Sequence, residues 1–538
     1  MNVCSVLIMD DASLNWHQRS RYEYHRDSLP EFDPSVKTST ISGTVYMAST
    51  DHNDNKRQPG HELPHWLIVG FSGHRKLANE QSLQDGLRKA FEHTAMRDRR
   101  FASVSSAACG ADTVFLEEMK ARSIPQFVIL PFDRDSFRKD FSDAQWMRVE
   151  PFIATAIDCE ILSGDLERNE AFLEAGILTV DRSDLLVVCW NGQPASGKGG
   201  TSEIVAYARA VMKPLIIIDE TTGNLTCERI DDLPSVIKQP SDKEKDRLEP
   251  LQLVIAEQKR LAGAAKKHGP QSRNLVLRLI NLHLSASAIA IIGLLFISPD
   301  TDALWGYIVA FFKLFALSWA LVLVRKHHHV HSQWIGSRLG AELCRCYIAI
   351  WKLRRNFSII PNTEGMNLND LARSLRMLWY LDKAQAVDLD TARAIYREQR
   401  IEDQRSYFQS SLNRTAPWYL WGRRAALAGT IGAIAAIIIS LLIPHDDHDE
   451  FIYKSMKAAS LLLPLLSAAI LSVLVARDMG RRSIRYRDMV EILDLSHKRL
   501  ERVQTWPGMW RLVADTEREL LREVTEWHAV TRFGGESH

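Results

Sequence analysis

The sequence predicts an α/β domain built on a parallel sheet, followed by an all-α membrane region with four transmembrane helices and long cytoplasmic helices. Three observations carry this. Short, wholly apolar runs alternate with helical periods between residues 63 and 222, the pattern of a parallel sheet covered on both faces. Four apolar runs appear only after Asn274, each close to the ~20 residues needed to cross a bilayer. Arginine-rich stretches of helical period follow each pair of runs.

In chain order, residues 1–62 are polar and without period, rich in Asp, Ser, His and Arg. They read as a mobile N-terminal tail, with capture by a partner protein as the alternative. Strands are expected at 65–71, 101–107, 126–132, 184–190 and 214–219, and helices at 79–95, 111–122, 168–180 and 201–212. In such a sheet ligands bind beyond the carboxyl ends of the strands. Residues 223–272 form a charged connector ending in a helix. Transmembrane hairpins are expected at 273–324 and 425–477, with a cytoplasmic helical segment at 325–424 and C-terminal cytoplasmic helices at 478–538.

The formal net charge of the 538 residues is +1, so no global basic field argues for a nucleic-acid partner. The hairpin turns "SPDTDA" and "PHDDHDE" contain no Lys or Arg, whereas Arg325, Lys326, Arg423, Arg424, Arg477, Arg481 and Arg482 mark the opposite ends. By the positive-inside rule both turns face outward and both termini are cytoplasmic, in a multi-pass protein of the inner (plasma) membrane. The opening "MNVCSVLIMDDASLNW" lacks a basic n-region, and no signal peptide is expected. The seven cysteines form no CxxC pair and read as reduced thiols. Cys344 and Cys346 point in different directions on a helix, and "KHHHVH" (326–331) reads as a basic interfacial anchor ahead of a metal site. No metal is expected.

Three glycine-bearing loops follow the strands. In "GFSGHRKL", Gly70, Ser72 and Gly73 allow close backbone approach, and His74 and Arg75 bring cationic groups. In "SSAACGADTVFLEEM", Gly110, Ala111 and Asp112 open a helix. In "GKGGTSEIVAYA", Gly197, Gly199, Gly200, Thr201 and Glu203 open another. Amides at helix starts favour an anion such as phosphate, and Glu203 is placed to accept from a ribose hydroxyl. Each loop alone is also a common strand-to-helix turn, and Asp112 and Asp133 also read as plain helix caps. The third loop has no GKS or GKT and is not a P-loop, nor does the first match GxGxxG.

These segments, over about residues 65–220, resemble the SLOG family: Rossmann-like domains related to the LOG phosphoribohydrolases, the DprA proteins and the ligand-sensing region of TRPM channels. "GKGGTSEIVAYA" and "CGADTVFLEEM" carry most of the resemblance. It implies a site for a nucleotide-derived ligand, a cyclic oligonucleotide or an ADP-ribose derivative, with no cofactor required. "GGTSE" matches, in shortened form, a LOG signature whose Glu works with an upstream Arg in cleaving an N-glycosidic bond. Glu203 is therefore the candidate catalytic carboxylate if the chain is an enzyme. Arg168 departs from the enzyme spacing and Arg182 reads equally as a surface ion pair, so binding is read ahead of hydrolysis.

The C-terminal half resembles the SLATT families of bacterial two-helix membrane effectors, on its hairpin-plus-helix architecture and on "HSQWIGSRLGAELCRCY" and "RYRDMVEILD". Arg338, Glu342 and Arg345 share a helix face, as do Arg487 and Glu491. Such pairs are usually solvated bridges, with ties between subunits as the alternative. Lys313 stands near the middle of "WGYIVAFFKLFALSWALVLV", where a lysine costs ~2.5–3.5 kcal/mol. It reads as a pore-lining or oligomer-paired group, with snorkelling as the alternative. Gly429, Gly432 and Ala433 suit close helix packing.

Together the resemblances imply a membrane effector that senses a nucleotide second messenger made by a separate enzyme. It would respond by forming a homo-oligomer or opening a transmembrane pore, in bacterial antiphage defence by abortive infection. A membrane-anchored LOG-like nucleotide N-glycosidase and a ligand-regulated ion channel or transporter stay open.

Overall fold

The computed structural model describes residues 61–162, 166–193, 200–233, 249–296, 303–353, 368–382, 387–442 and 450–533. Residues 1–60 of the tail expected at 1–62, Gly197 and Gly199 of the third loop, and most of both hairpin turns lie outside these residues.

Each expected strand forms. β1 (Trp66–Gly73), β3 (Gln126–Leu130), β5 (Leu185–Cys189) and β6 (Leu215–Ile218) are mostly apolar and largely buried, as a doubly covered sheet requires, and β2 (Arg100–Ser105), although half polar, is buried from Ala102 on. Two more complete the sheet: β4 (Asp158–Ile161) and β7 (Leu225–Glu228). The order is β4-β3-β2-β1-β5-β6-β7, with all pairs parallel except β6–β7. β4 and β7 are edge strands, short and part-exposed, and carry Asp158, Glu160 and Glu228 in place of an apolar run. The sheet therefore continues past the expected boundary at 222.

Helices cover both faces. On one, Leu83 and Leu87 of α1 (Glu80–Glu92) and Phe115 and Met119 of α2 (Ala111–Ala121) pack on Val69 and Phe71. Two helices not foreseen, α3 (Arg134–Arg138) and α4 (Asp143–Thr155), follow β3; Ser142 and Gln145 cap α4 reciprocally. On the other face, Val180 of α5 (Arg168–Arg182) and Ile204 and Val205 of α6 (Thr201–Ala210) pack on Leu186 and Val188.

The second half is all helical. α7 (Pro250–Phe296) and α8 (Ala303–Ile350) are followed by α9 (Asn369–Leu381) and α10 (Leu389–Tyr396), then a π-helical turn (Arg397–Glu402) leading into α11 (Asp403–Leu442). α12 (Glu450–Ala476), α13 (Met479–Leu500) and α14 (Trp506–Phe533) complete it. Four helical stretches are long and apolar enough to cross a membrane, and their apolar windows are only 11–17% buried. The connector and the first apolar run are one continuous helix, α7. Where α11 meets α12 its buried residues are small: Ala426, Ala433 and Ala436. Gly429 lies against Ser467, and a Cβ on Gly422 would fall 2.8 Å from Leu474 Cδ2. This is the close approach that small-residue stripes allow.

The halves join at the amino edge of the sheet. Leu63, Trp66 and Ala102 share a core with Val254 and Leu261 of α7 and with Leu371 and Leu375 of α9. Tyr380 of α9 donates to Asp158 at 2.6 Å and meets the Phe127 ring edge-on at 5.0 Å.

Candidate ligand crevice

Strand order reverses between β1 and β5: the chain leaves β1 for β2 on one side, and later fills β5, β6 and β7 on the other. In open α/β sheets this switch leaves a crevice at the carboxyl ends of the two central strands, where ligands bind. Here those ends are Gly73 and Cys189, which are paired in register.

The first two loops meet there. Ala111 N–H donates to His74 O at 3.0 Å. Gly110 has φ +85°, and a Cβ on it would lie 2.7 Å from His74 O and overlap the Arg75 carbonyl; only glycine serves at this position. The third loop approaches from β5, with Asn191 N–H donating to His74 Nε2 at 3.4 Å. His74 Nε2 also lies 3.9 Å from Glu220, a buried carboxylate that accepts the Ala78 N–H at 2.8 Å. His74 is thus the residue on which three loops converge, its backbone carbonyl held by Ala111 and its ring contacted by Asn191 and Glu220.

Other expected residues have structural duties. Gly73 is in contact with Ala111, and a Cβ on Gly70 would fall 2.7 Å from Ser183 Oγ, so both glycines admit helices to the strand. Ser72 pairs within the sheet opposite Val188. Asp112 is buried and accepts from Ala108 N–H at 3.3 Å, which caps the loop before α2. Burial raises its pKa to about 7 against the opposing backbone hydrogen bonds and Arg75. Arg75 is exposed and lies 3.9 Å above the Phe172 ring, a stacked guanidinium whose charge is held at the mouth. Asp133 caps α3 through Ser136 N–H at 3.0 Å.

α6 starts at the crevice. Gly200 is its cap, with φ −79° and ψ 160°, Thr201 is buried, and Glu203 is half-buried with its N–H bonded to Gly200 O at 3.0 Å. Neither candidate arginine partners Glu203. Arg168 pairs with Asp140 at 2.5 Å and stacks on Phe132 at 4.8 Å. Arg182 ends α5 at the opposite, amino edge and pairs with Glu160.

In the membrane half, Lys313 is exposed on α8 among exposed Phe311, Phe312, Leu314 and Phe315. The Arg338–Glu342–Arg345 face ties helices within one chain: Arg338 reaches Glu523 of α14 at 3.5 Å, and Glu342 takes Arg400 at 3.2 Å and Arg345 at 2.9 Å. Arg400, on the π-helical turn, is buried and grips buried Glu517 with two donors, at 2.9 and 2.7 Å. Tyr396 donates to the same carboxylate at 2.9 Å. Although Glu342 is deeply buried, which alone would raise its pKa, Arg400 and Arg345 hold it below the usual range. Of the "KHHHVH" stretch, His327 and His331 lie 3.2 and 3.1 Å from Ser272 Oγ of α7.

Sequence reasoning missed Glu220, Phe172 and Arg400. The first two are brought to the crevice by distant elements, and the third was hidden among many surface arginines. No protein-family model matches the chain, and no curated protein matches it.

Proposed function

We propose that the chain is a membrane-anchored sensor whose crevice binds a nucleotide-derived second messenger and whose apolar helices respond by assembling or opening a path through the bilayer. The observation that carries this is the division of labour across one sheet. The carboxyl ends of β1 and β5 form a switch-point crevice, while their amino ends are docked on helices α7 and α9 of the membrane half. A ligand that favours one arrangement of β1 and β5 would therefore bias the helices beyond them.

The crevice chemistry suits a phosphate-bearing ligand of the cyclic-oligonucleotide or ADP-ribose class. Amides at the start of α6 and the Arg75 charge favour the anion, His74 would supply an imidazole edge, and Glu203 would accept from a sugar hydroxyl. We read the protein as multi-pass in the plasma membrane with both termini cytoplasmic, since arginines flank the same ends of all four apolar runs, against Lys454 and Lys457 at the opposite end of the fourth. Exposed Lys313 amid exposed aromatics favours a homo-oligomer, because a lone chain would turn that charge toward lipid. The messenger would come from a separate synthesising enzyme. The resemblance to bacterial effector families supports a role in antiphage defence by abortive infection. The N-glycosidase reading has less support, since Arg168 and Arg182 are both engaged away from Glu203.

The test is reconstitution of the full chain in phosphatidylethanolamine/phosphatidylglycerol vesicles loaded with a self-quenching dye. Dye release only when a nucleotide from a panel is added supports the sensor. Release without any nucleotide supports a constitutive channel, and recovery of the nucleotide as free base and sugar phosphate supports the glycosidase.

A further inference from the structure

The joint between sheet and membrane half contains a cluster with no part in the crevice. His61 and His65 precede β1, and Asp370 lies in the first turn of α9. One ligand atom from each lies within 4.8 Å of the other two. The two imidazole rings are stacked, with centroids 4.1 Å apart and planes 26° apart. Both ring nitrogens of His61 and Nε2 of His65 are shut off from solvent without a partner in good hydrogen-bond geometry, the His61 ring having only the Leu63 backbone close by. Three buried polar atoms left unsatisfied at one spot demand an explanation.

We propose that His61, His65 and Asp370 hold a divalent transition-metal ion, zinc by their donor chemistry, which staples the sheet to α9. Two imidazole nitrogens and one carboxylate oxygen are a zinc set, leaving a fourth position for water. Tetrahedral zinc brings its ligand atoms to ~3.3 Å from one another; here they lie within 4.8 Å, so the two rings must turn out of their stacked arrangement to converge on the ion. The carboxylate is already oriented from behind: its Oδ1 takes Arg373 Nη1 at 2.8 Å, and its Oδ2 lies 3.4 Å from His65 Nδ1. Outer-shell bonds of this kind hold metal ligands in place. Arg373 also reaches Asp184 at 2.5 Å, so the ion, Asp370, Arg373 and Asp184 form one continuous line from α9 into the sheet. The neighbouring charges are balanced without the cluster, since Arg260 pairs with buried Glu257 at 2.7 Å and with Glu62 at 3.6 Å. A plain His65–Asp370 ion pair with His61 packed on it is the competing account, and it leaves the His61 ring only the Leu63 backbone and Nε2 of His65 no partner.

The test uses the full chain in detergent, stripped with a chelator and titrated with zinc chloride against a chromogenic competitor. One zinc per chain, and a chelator-induced fall in Tm of several degrees reversed by zinc, are expected for the native protein. His61→Ala should lose the stoichiometric zinc and the chelator sensitivity together. Asp370→Asn should weaken zinc at least ~10-fold, and His329→Ala, at an exposed position, should bind like the native chain. His61→Gln, close in size, serves if the alanine variant does not fold. A native chain that retains no zinc against the competitor, or variants of His61 that bind zinc as the native chain does, would overturn the assignment.

Discussion

Arg373 donates to Asp184 at 2.5 Å, and the same carboxylate accepts the Ile68 N–H at 2.9 Å. A helix of the membrane half thereby grips both strands that end at the crevice, about 17 Å away along β1 at ~3.3 Å per residue. Burial raises the pKa of Asp184 and Arg373 opposes that rise, so the pair is a mutual necessity. Arg373→Ala, which strands a buried carboxylate, should cost ~3 kcal/mol. Asp184→Asn should cost less, because the amide oxygen still accepts from Ile68. Unfolding midpoints of the two variants in detergent check the order.

Gly110 and Gly192 both have positive φ, at +85° and +79°, but a Cβ on Gly192 meets nothing within 4 Å. Gly192→Ala should therefore cost only the backbone term, ~1–2 kcal/mol. Gly110→Ala adds the clash with Arg75 and should lose more, displacing the His74 loop. Thermal unfolding of the pair separates backbone strain from loop-to-loop packing.

Asp112 makes a prediction about pH. Its pKa is raised from 3.8 to about 7 in the folded chain, so folding favours the protonated acid. The stability it contributes is fully present below pH ~4 and falls away as pH rises through ~7, by ~1.4 kcal/mol per unit at most. Asp112→Asn mimics the protonated form. The difference in Tm between variant and native chain should grow in the variant's favour from pH 5 to pH 8, and stay level above that.

Arg400 and Glu517 are both buried, with Arg400 also 3.2 Å from Glu342. Removing one charge from such a pair costs ~3–5 kcal/mol, whereas apolar replacement of both is often close to neutral. Arg400→Met alone should unfold the helical layer at much lower denaturant. Adding Glu517→Leu should recover most of the loss, measured as a double-mutant cycle.

Lys313→Leu removes a charge from an apolar helix surface and should leave nucleotide binding unchanged while altering dye release from vesicles. Unchanged release would remove Lys313 from the path.

The parts of this architecture legible in the sequence are those with local signals. Doubly covered strands read as apolar runs, and the four apolar helices read by length and composition. β4 and β7 did not, because an edge strand needs only one partner and tolerates Asp158 and Glu228. The convergence of the loops was legible because each follows a strand of one parallel sheet, but the duties of individual residues were not. Gly73 serves Ala111, and Asp112 serves Ala108. The docking edge left no trace at all, since Arg373 and Asp184 are 189 residues apart. Likewise His61 and His65 show a spacing, but only folding brings Asp370 to them.

The most direct measurement is thermal stabilisation of the full chain in detergent by a panel of nucleotides, cyclic oligonucleotides and ADP-ribose derivatives, with Gly200→Asp as comparison. That substitution keeps the cap of α6, whose φ of −79° suits any residue, and places a negative charge where the phosphate would sit. The account predicts that one phosphate-bearing ligand, recovered intact, stabilises the native chain by about 2.7 kcal/mol at a hundredfold excess over Kd. The variant should melt at the native temperature and not respond. A panel that stabilises neither protein, or both equally, would contradict it.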